Sequence, residues 1–128
     1  MILLRSYRLD DGSDVVSVWH ARESGKVKAG LAARMVHLRQ QPREGWIRPP
    51  YDILKSADGI GAVRWKVERI QHRGLGYFGP GRNEFTFLLF TTKADGYDDI
   101  DIKHARTRRS NVEHNMSLSV VVKDRWGQ

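Results

Sequence analysis

A short apolar segment opens the chain, and residues at helical spacing follow it. Residues 2–9 predict a first strand, which the turn-forming Asp10-Asp11-Gly12 ends. Either Ser13 or Asp14 can cap the helix expected next. The residues that recur at helical spacing in this helix are Val15, Val18, Trp19 and Arg22.

A second helix is predicted over residues 26–41, because an apolar stripe at helical spacing runs through them. The stripe consists of Val27, Leu31, Met35 and Leu38. Ser24-Gly25 separates the two helices, and Pro42 ends the second. Two helices with so short a break between them are expected to form a hairpin with one apolar seam.

The spacing changes to that of strands in the middle of the chain. Residues 43–57 predict an ordered connection, and residues 58–61 predict a turn. Apolar and charged residues then alternate, as in a strand with two different faces. The expected apolar face carries Val63, Trp65 and Val67, and the polar face carries Arg64, Lys66 and Glu68.

Two further strands complete the predicted sheet. The first covers residues 72–78, and a glycine- and proline-containing reversal at 79–83 joins it to a strand over 84–90. Residues 84–90 are apolar on both faces, which is typical of a strand in the middle of a covered sheet.

A last helix is expected to begin at Asp98, Asp99 and Asp101 and to close with Arg106, Arg108 and Arg109. Acid at the start and base at the end suit the helix dipole. The β-branched residues 116–123 can add an edge strand. The order β-α-α-β-β-β-α predicts an α+β fold, with the helical hairpin packed on a small twisted antiparallel sheet. One domain is expected over residues 1–128.

Composition adds a basic imbalance to an otherwise ordinary globular chain. The 128 residues include 22 Lys plus Arg against 15 Asp plus Glu, so the formal net charge is +7. This charge favours a polyanionic partner, whether RNA, DNA, an anionic membrane or an acidic protein. The lack of cysteine excludes disulfides and thiolate chemistry. With no long apolar run and no signal-peptide pattern, a cytoplasmic protein without a membrane partner is expected.

Two motifs that suggest chemistry have simpler structural interpretations. The segment Gly74-Leu75-Gly76-Tyr77-Phe78-Gly79 has the GxGxxG spacing of a dinucleotide loop, but Pro80 and another strand follow it instead of a helix. We interpret it as a glycine-rich strand end and hairpin. The aspartates at 98–101 are interpreted as helix caps, and the histidines lack the spacing of a zinc pair. Neither a metal nor another cofactor is expected.

Cations gather near the ends of the predicted sheet strands. They are Arg64, Lys66, Arg69, His72, Arg73 and Lys93. They either converge on one concave surface or form an ordinary solvated polar face, and the alternation by itself leaves both interpretations open. Together with the net charge, they indicate nucleic-acid binding.

Three stretches of the chain resemble the phage-derived, HigB-like branch of the RelE/ParE toxin superfamily. They are Gly61-Ala62-Val63-Arg64-Trp65, residues 72–82 and Glu84-Phe85-Thr86-Phe87-Leu88-Leu89. In that branch an "EIR" strand leads to a "YR-x-LGFFGP" strand, then to an "EFTLL" strand, a lysine and a last helix with "A-x-x-R". Lys93 and residues 105–109 follow in matching order, so the resemblance covers roughly residues 13–110.

The resemblance implies a microbial-ribonuclease-like fold and the toxin of a type II toxin–antitoxin system. Such a toxin cleaves messenger RNA on the ribosome without a metal: a ribose 2′-OH attacks the adjacent phosphate, and cations stabilise the phosphorane. Arg64 and Arg73 are then expected to hold the phosphate, and Lys93 to stabilise charge or donate a proton. The residues expected to bind RNA are Lys66, Arg69, Arg82, Arg106 and Arg109. The implied partners are a cognate antitoxin, messenger RNA and the ribosome, with operator DNA contacted only through the antitoxin complex.

The chain departs from the family pattern at two sheet positions. Val63 stands where the family has a glutamate, and His72 stands where it has a tyrosine. His72 either serves as the general base, since imidazole titrates near neutral pH, or is a surface substitution. The tail offers His114 and Trp126 but no terminal tyrosine or histidine of the kind several active relatives use. Two other functions stay open: a non-nuclease toxin of the same fold that acts on DNA gyrase, and a non-toxic nucleic-acid-binding phage accessory protein.

Overall fold

Six strands and three α-helices make up the protein over residues 1–54, 57–92 and 96–128, which the computed structural model describes. The strands are β1 (Leu3–Tyr7), β2 (Tyr51–Ile53), β3 (Gly61–Val67), β4 (Ile70–Phe78), β5 (Glu84–Thr92) and β6 (Ser119–Val121). The α-helices are α1 (Val15–Arg22), α2 (Gly25–Leu38) and α3 (Asp99–His114). Short 3-10 helices lie at Arg43–Gly45 and Met116–Leu118.

All six strands belong to one mixed sheet, in the order β2-β3-β4-β5-β1-β6. The α+β class is therefore confirmed, whereas the purely antiparallel sheet and the predicted element order are wrong. After β1 the chain passes through α1 and α2 and reaches the far edge of the sheet at β2. The strands β2 to β5 then pair antiparallel, each with the next, and β5 lies parallel to β1. A parallel neighbour requires such a long crossover. β2 lies inside the predicted connection, and β6 follows the last helix as the edge strand that the tail could supply.

The predicted helical hairpin is present and its caps are visible. Asp14, and not Ser13, caps α1, since its carboxylate accepts a hydrogen bond from the Ser17 N–H at 3.2 Å. Ser24 caps α2 in the same way. α2 ends at Leu38, before the predicted residue 41, and its stripe Val27, Leu31, Met35 and Leu38 is buried as expected. In α1 the buried set is Val15, Val16 and Trp19, and Val18 is exposed instead.

The hairpin of β3 and β4 sets which side chains face each other. A two-residue turn at Glu68-Arg69, with φ of 50° and 71°, joins the strands, as in tight hairpins whose turn residues have positive φ. In this register Arg64 lies opposite Arg73, and Trp65 lies opposite His72. Opposed residues share a face of the sheet, so the arginine pair and the Trp65–His72 pair are on different faces.

The glycine-rich segment belongs to β4 and serves packing. A Cβ atom on Gly76 would lie 2.6 Å from the Phe85 ring, and one on Gly74 would lie 2.9 Å from the rings of Phe87 and Phe90. β5 follows after the reversal, which confirms the hairpin interpretation. β5 pairs with β4 on one side and β1 on the other, and most of its side chains are buried, as expected of a central strand.

α3 begins as predicted but extends further. The Asp98 side chain accepts a hydrogen bond from the Ile100 N–H at 3.0 Å, which confirms the capping interpretation for Asp98, whereas Asp101 accepts a hydrogen bond from the Thr91 hydroxyl at 3.0 Å. The helix continues to His114, so Arg106, Arg108 and Arg109 lie in its interior instead of at its end. Arg106 bonds to Asp58 and Arg108 to the Leu88 carbonyl oxygen, whereas Arg109 bonds to Glu113 one turn further along the same helix. Within the described ranges, no helix is long and apolar enough to cross a membrane.

Candidate functional site

A cleft of about 370 Å³ lies between the end of α1, the strands β3 to β5 and the first turn of α3. His72 and Arg73, two of the sequence-predicted catalytic residues, line it together. Arg22 and Glu23 from the end of α1 and Asp101 from α3 also line it. A second cavity of about 270 Å³ lies beside it and shares the lining residues Trp19, Arg22, Phe90 and Asp101.

Aromatic rings form the wall of the cleft between α1 and the sheet. Trp19 stacks on Phe90 with ring centroids 4.7 Å apart, and its edge meets Trp65 at 5.8 Å. The Trp65 indole N–H donates a hydrogen bond to the Val27 carbonyl oxygen at 3.1 Å, which ties β3 to α2. The wall is therefore rigid, since each ring packs against another ring or against backbone.

His72 is part of this wall. Its ring stacks on Trp65 at 5.4 Å with an angle of 18° between the planes, and the residue is 6% exposed. Burial lowers the pKa of His72, and the nearby Glu23 carboxylate opposes that shift. A lowered pKa keeps the imidazole neutral at pH 7, which is the form that accepts a proton.

Arg64 and Arg73 are brought together as cross-strand neighbours, but only Arg73 lines the cleft. An Arg64 Nη1–H group donates a hydrogen bond to Asp52 Oδ2 at 2.7 Å. The Arg73 guanidinium lies over the Tyr97 ring, 4.6 Å from its centroid. Arg64 is therefore paired with a carboxylate, and the Tyr97 ring is one of the groups that Arg73 contacts.

Asp52 and Tyr97 contact the two cross-strand arginines, and the sequence analysis missed both. The Asp52 carboxylate, 4% exposed, also accepts hydrogen bonds from the Arg48 Nε–H group and, at 2.8 Å, from the Tyr97 hydroxyl. Burial raises the pKa of Asp52, but the hydrogen bonds from Arg64, Tyr97 and Arg48 outweigh it and lower the pKa below its usual value. Burial, together with the Asp52 charge, raises the pKa of Tyr97 to about 12. No local motif marks either residue, because their relationship depends on the tertiary structure.

The predicted RNA-binding residues do not form one surface. Lys66 and Arg69 are exposed at the tip of the β3–β4 hairpin, and Arg82 is exposed in the β4–β5 turn at the other end of β4. Arg106 forms an ion pair with Asp58. Arg109 forms one with Glu113 at 2.8 Å and lies over the Tyr77 ring. The helix arginines therefore already have protein partners, and the freely exposed cations lie at opposite ends of the sheet.

Two residues that the tail offers, His114 and Trp126, do not line the cleft. Lys93 lies outside the described residues. His114 is exposed near the end of α3, with its ring bonded to the Ser110 carbonyl oxygen. Trp126 is buried against Phe87 at 5.7 Å, so it serves the core. In the part of the chain that is described, no three His, Asp or Glu side chains are grouped to hold a metal ion.

The chain was compared with known proteins at the level of families, sequences and structures. At a significant level it matches no family model, no curated protein and no solved structure. The cleft geometry and the residue patterns are therefore the observations from which a function is argued.

Proposed function

We propose that this protein is a toxin of the RelE/ParE type, which cleaves messenger RNA on the ribosome without a metal and is held inactive by a cognate antitoxin. The observation that carries the proposal is that His72 and Arg73, whose side chains leave β4 on opposite faces, both line the same cleft. A neutral imidazole and a guanidinium are the proton acceptor and the phosphate ligand that the reaction needs. The net charge of +7 supports a polyanionic substrate.

The proposed reaction forms a bond between the ribose O2′ and the adjacent phosphorus. His72 takes the proton of the 2′-OH, and Arg73 and Arg22 stabilise the negative charge that builds on the phosphorane. The bond from phosphorus to O5′ then breaks, and the leaving oxygen takes a proton from a general acid, for which Lys93 is the candidate through the family resemblance. The products are a 2′,3′-cyclic phosphate and a 5′-hydroxyl end.

Primer extension on translated messages tests the proposal. The wild-type protein is expected to create new ends at fixed positions within codons, only on messages that are being translated. Arg73→Ala is expected to lower the cleavage rate on the order of a hundredfold or more, and His72→Gln to lower it strongly. Arg8→Ala, which removes an exposed arginine outside the cleft, is the matched control and should cleave like the wild type. Full cleavage by Arg73→Ala, or none by the wild type, contradicts the proposal.

A nucleic-acid-binding protein without nuclease activity is the second candidate, and the Arg64–Asp52 ion pair favours it. Because Asp52 neutralises Arg64, fewer cations remain to stabilise a phosphorane. This candidate predicts equal binding of RNA and of a 2′-O-methyl analogue, with no new ends and no growth inhibition. Growth inhibition with DNA damage and no new RNA ends would instead support the gyrase-directed toxin.

A further inference from the structure

We propose that the second cavity, the one beside α1, is a nucleoside subsite for single-stranded RNA. In this role it holds the base and sugar of the nucleotide next to the scissile phosphate, and Arg108 holds the phosphate that follows. The position of the scissile phosphate, in the cleft that His72 lines, rests on the proposed function. The binding part of the proposal needs no cleavage and is measured separately below.

Three cavities adjoin one another along α1 and α3. The cleft and the second cavity share Trp19, Arg22, Phe90 and Asp101. The second cavity and a third, of about 300 Å³, share Leu9, His104 and Arg108. An arginine therefore lies at each junction, Arg22 at the first and Arg108 at the second. An RNA strand has the same alternation, because one nucleoside separates each phosphate from the next.

The walls of the second cavity are largely apolar and aromatic. They include Leu9, Val15, Val18, Trp19, Leu89 and Phe90. Trp19 and Phe90 stack on each other with centroids 4.7 Å apart, so this part of the wall is rigid. Val18 is 39% exposed, although its spacing in α1 predicted burial, and this exposure leaves the apolar wall open to a ligand. Unstacked RNA bases bind against aromatic and apolar side chains of this kind.

The arginines at the two junctions suit phosphate groups. Arg108 donates a hydrogen bond to the Leu88 carbonyl oxygen at 2.7 Å, and its guanidinium lies 5.2 Å from the centroid of the Tyr7 ring. Both contacts hold the guanidinium in place, and neither is made with a carboxylate. The Arg22 side chain is 64% exposed, and its ion pair with Glu23 is long, at 4.0 Å. An arginine fork matches the oxygens of a phosphate.

Asp101 is the carboxylate in the wall that the cleft and the second cavity share. Its Oδ2 atom accepts a hydrogen bond from the Thr91 hydroxyl at 3.0 Å, which fixes the side chain against β5. A carboxylate accepts hydrogen bonds from the N–H groups of a base and repels a phosphate. Asp101 therefore favours a base at this wall and leaves the phosphates to the two arginines.

Binding of 2′-O-methyl trinucleotides tests the apolar wall, because a blocked 2′-oxygen prevents cleavage. A complete trinucleotide is compared with forms that lack the first or the last base, and one of these two forms is expected to bind on the order of tenfold to a hundredfold more weakly. Val18→Ser should weaken binding of the complete trinucleotide about tenfold and leave binding of that abasic form unchanged. Val36→Ser is the matched control, since Val36 is 45% exposed on α2 and lines none of the three cavities.

The salt dependence of binding tests Arg108. Arg108→Gln is expected to reduce the slope of log affinity against log salt by about 0.7, the value for one phosphate contact on a single strand, and Arg108→Lys should keep the slope. Arg43→Gln is the control, because Arg43 also lies over a ring, that of Phe78 at 4.8 Å, but outside the three cavities. Urea denaturation of each variant separates lost binding from lost folding.

The failures of the two proposals are distinguishable. Equal binding of the complete and both abasic trinucleotides, or equal effects of Val18→Ser and Val36→Ser, would overturn the subsite even if the wild type cleaves translated messages. An unchanged salt slope in folded Arg108→Gln would overturn the phosphate contact on which the subsite depends. A wild type that shows the expected binding losses but creates no new RNA ends would overturn the proposed nuclease function and leave the subsite supported.

Discussion

Arg64 and Arg73 lie directly opposite each other in the β3–β4 pair, and their guanidinium groups contact different partners, the Asp52 carboxylate and the Tyr97 ring. Like charges at facing positions of a sheet repel each other. The Asp52 carboxylate offsets this repulsion through its ion pair with Arg64, and the ring of Tyr97 attracts Arg73. The same pair of residues therefore connects the ion pair at the sheet edge with the lining of the cleft.

Arg64→Ala is expected to destabilise the fold by on the order of 2 kcal/mol, because it removes a charge-assisted hydrogen bond from a buried carboxylate. Urea denaturation measures the free energy of unfolding. Arg8→Ala, at an exposed position, should change it by less than about 0.5 kcal/mol. Equal effects of the two substitutions would mean that the Arg64–Asp52 pair contributes no stability.

Asp52→Asn is expected to reduce the acid sensitivity of the fold. The pKa of Asp52 is lower in the folded protein than its usual value of 3.8, so its charged form adds stability above that value. This contribution is lost as the pH falls through the lowered pKa. The stability difference between wild type and Asp52→Asn should therefore be constant above about pH 5 and shrink below about pH 4. Asp10→Asn, at an exposed site, is the control. If the stability difference between wild type and Asp52→Asn stays constant below about pH 4, the charged Asp52 carboxylate does not stabilise the fold.

His72→Gln is expected to make the protein more resistant to mild acid relative to the wild type. Burial lowers the pKa of His72 below its usual value of 6.5, so the unfolded chain takes up the proton first as the pH falls. Wild-type stability should thus decline relative to His72→Gln as the pH drops below about 6.5 and through the lowered pKa. Urea titrations at several pH values measure this. His37→Gln, at an exposed position, is the matched control.

Gly76→Ala is expected to destabilise the protein by about 1–3 kcal/mol or more, because a methyl group there overlaps the Phe85 ring and the Thr86 carbonyl oxygen. Gly25→Ala, at the start of α2, meets no atom within 4 Å and should be neutral or slightly stabilising. Thermal unfolding of both variants shows whether Gly76 serves packing or ligand binding, because a packing role requires a lower unfolding midpoint for Gly76→Ala than for the wild type. An unchanged midpoint for Gly76→Ala would contradict the packing role.

Strong local patterns predicted the central elements of the fold. The stripe Val27, Leu31, Met35 and Leu38 predicted α2, and the doubly apolar residues 84–90 predicted the central strand, because burial imposes a period that is visible in the chain. The strands β2 and β6 have three residues each, too few for a period to show. They exist because β3 and β1 offer unpaired edges to them, which is a tertiary effect.

The candidate site was predictable only in part. Arg64, Arg73 and His72 were identified through charge and family resemblance, and their cross-strand positions follow from the β3–β4 hairpin, whose short turn sets the register. Arg22 in the cleft was missed, because an arginine at a helix end ordinarily indicates only a favourable dipole interaction. The burial of His72 was not predictable either, since it depends on Trp65 stacking against it beneath α1 and α2.

The sequence by itself determined the helical hairpin, the central strands and an arginine-rich hairpin, because short-range spacing and turn residues encode all three. Only the tertiary structure decided which arginine pairs with Asp52 and which lines the cleft. That choice requires Asp52 and Tyr97, 45 residues apart, to meet at one edge of the sheet. The charge balance around the buried Asp52 depends on groups from distant segments of the chain. The strand order and the docking of α3 bring these segments together, and no local sequence pattern predicts either of them.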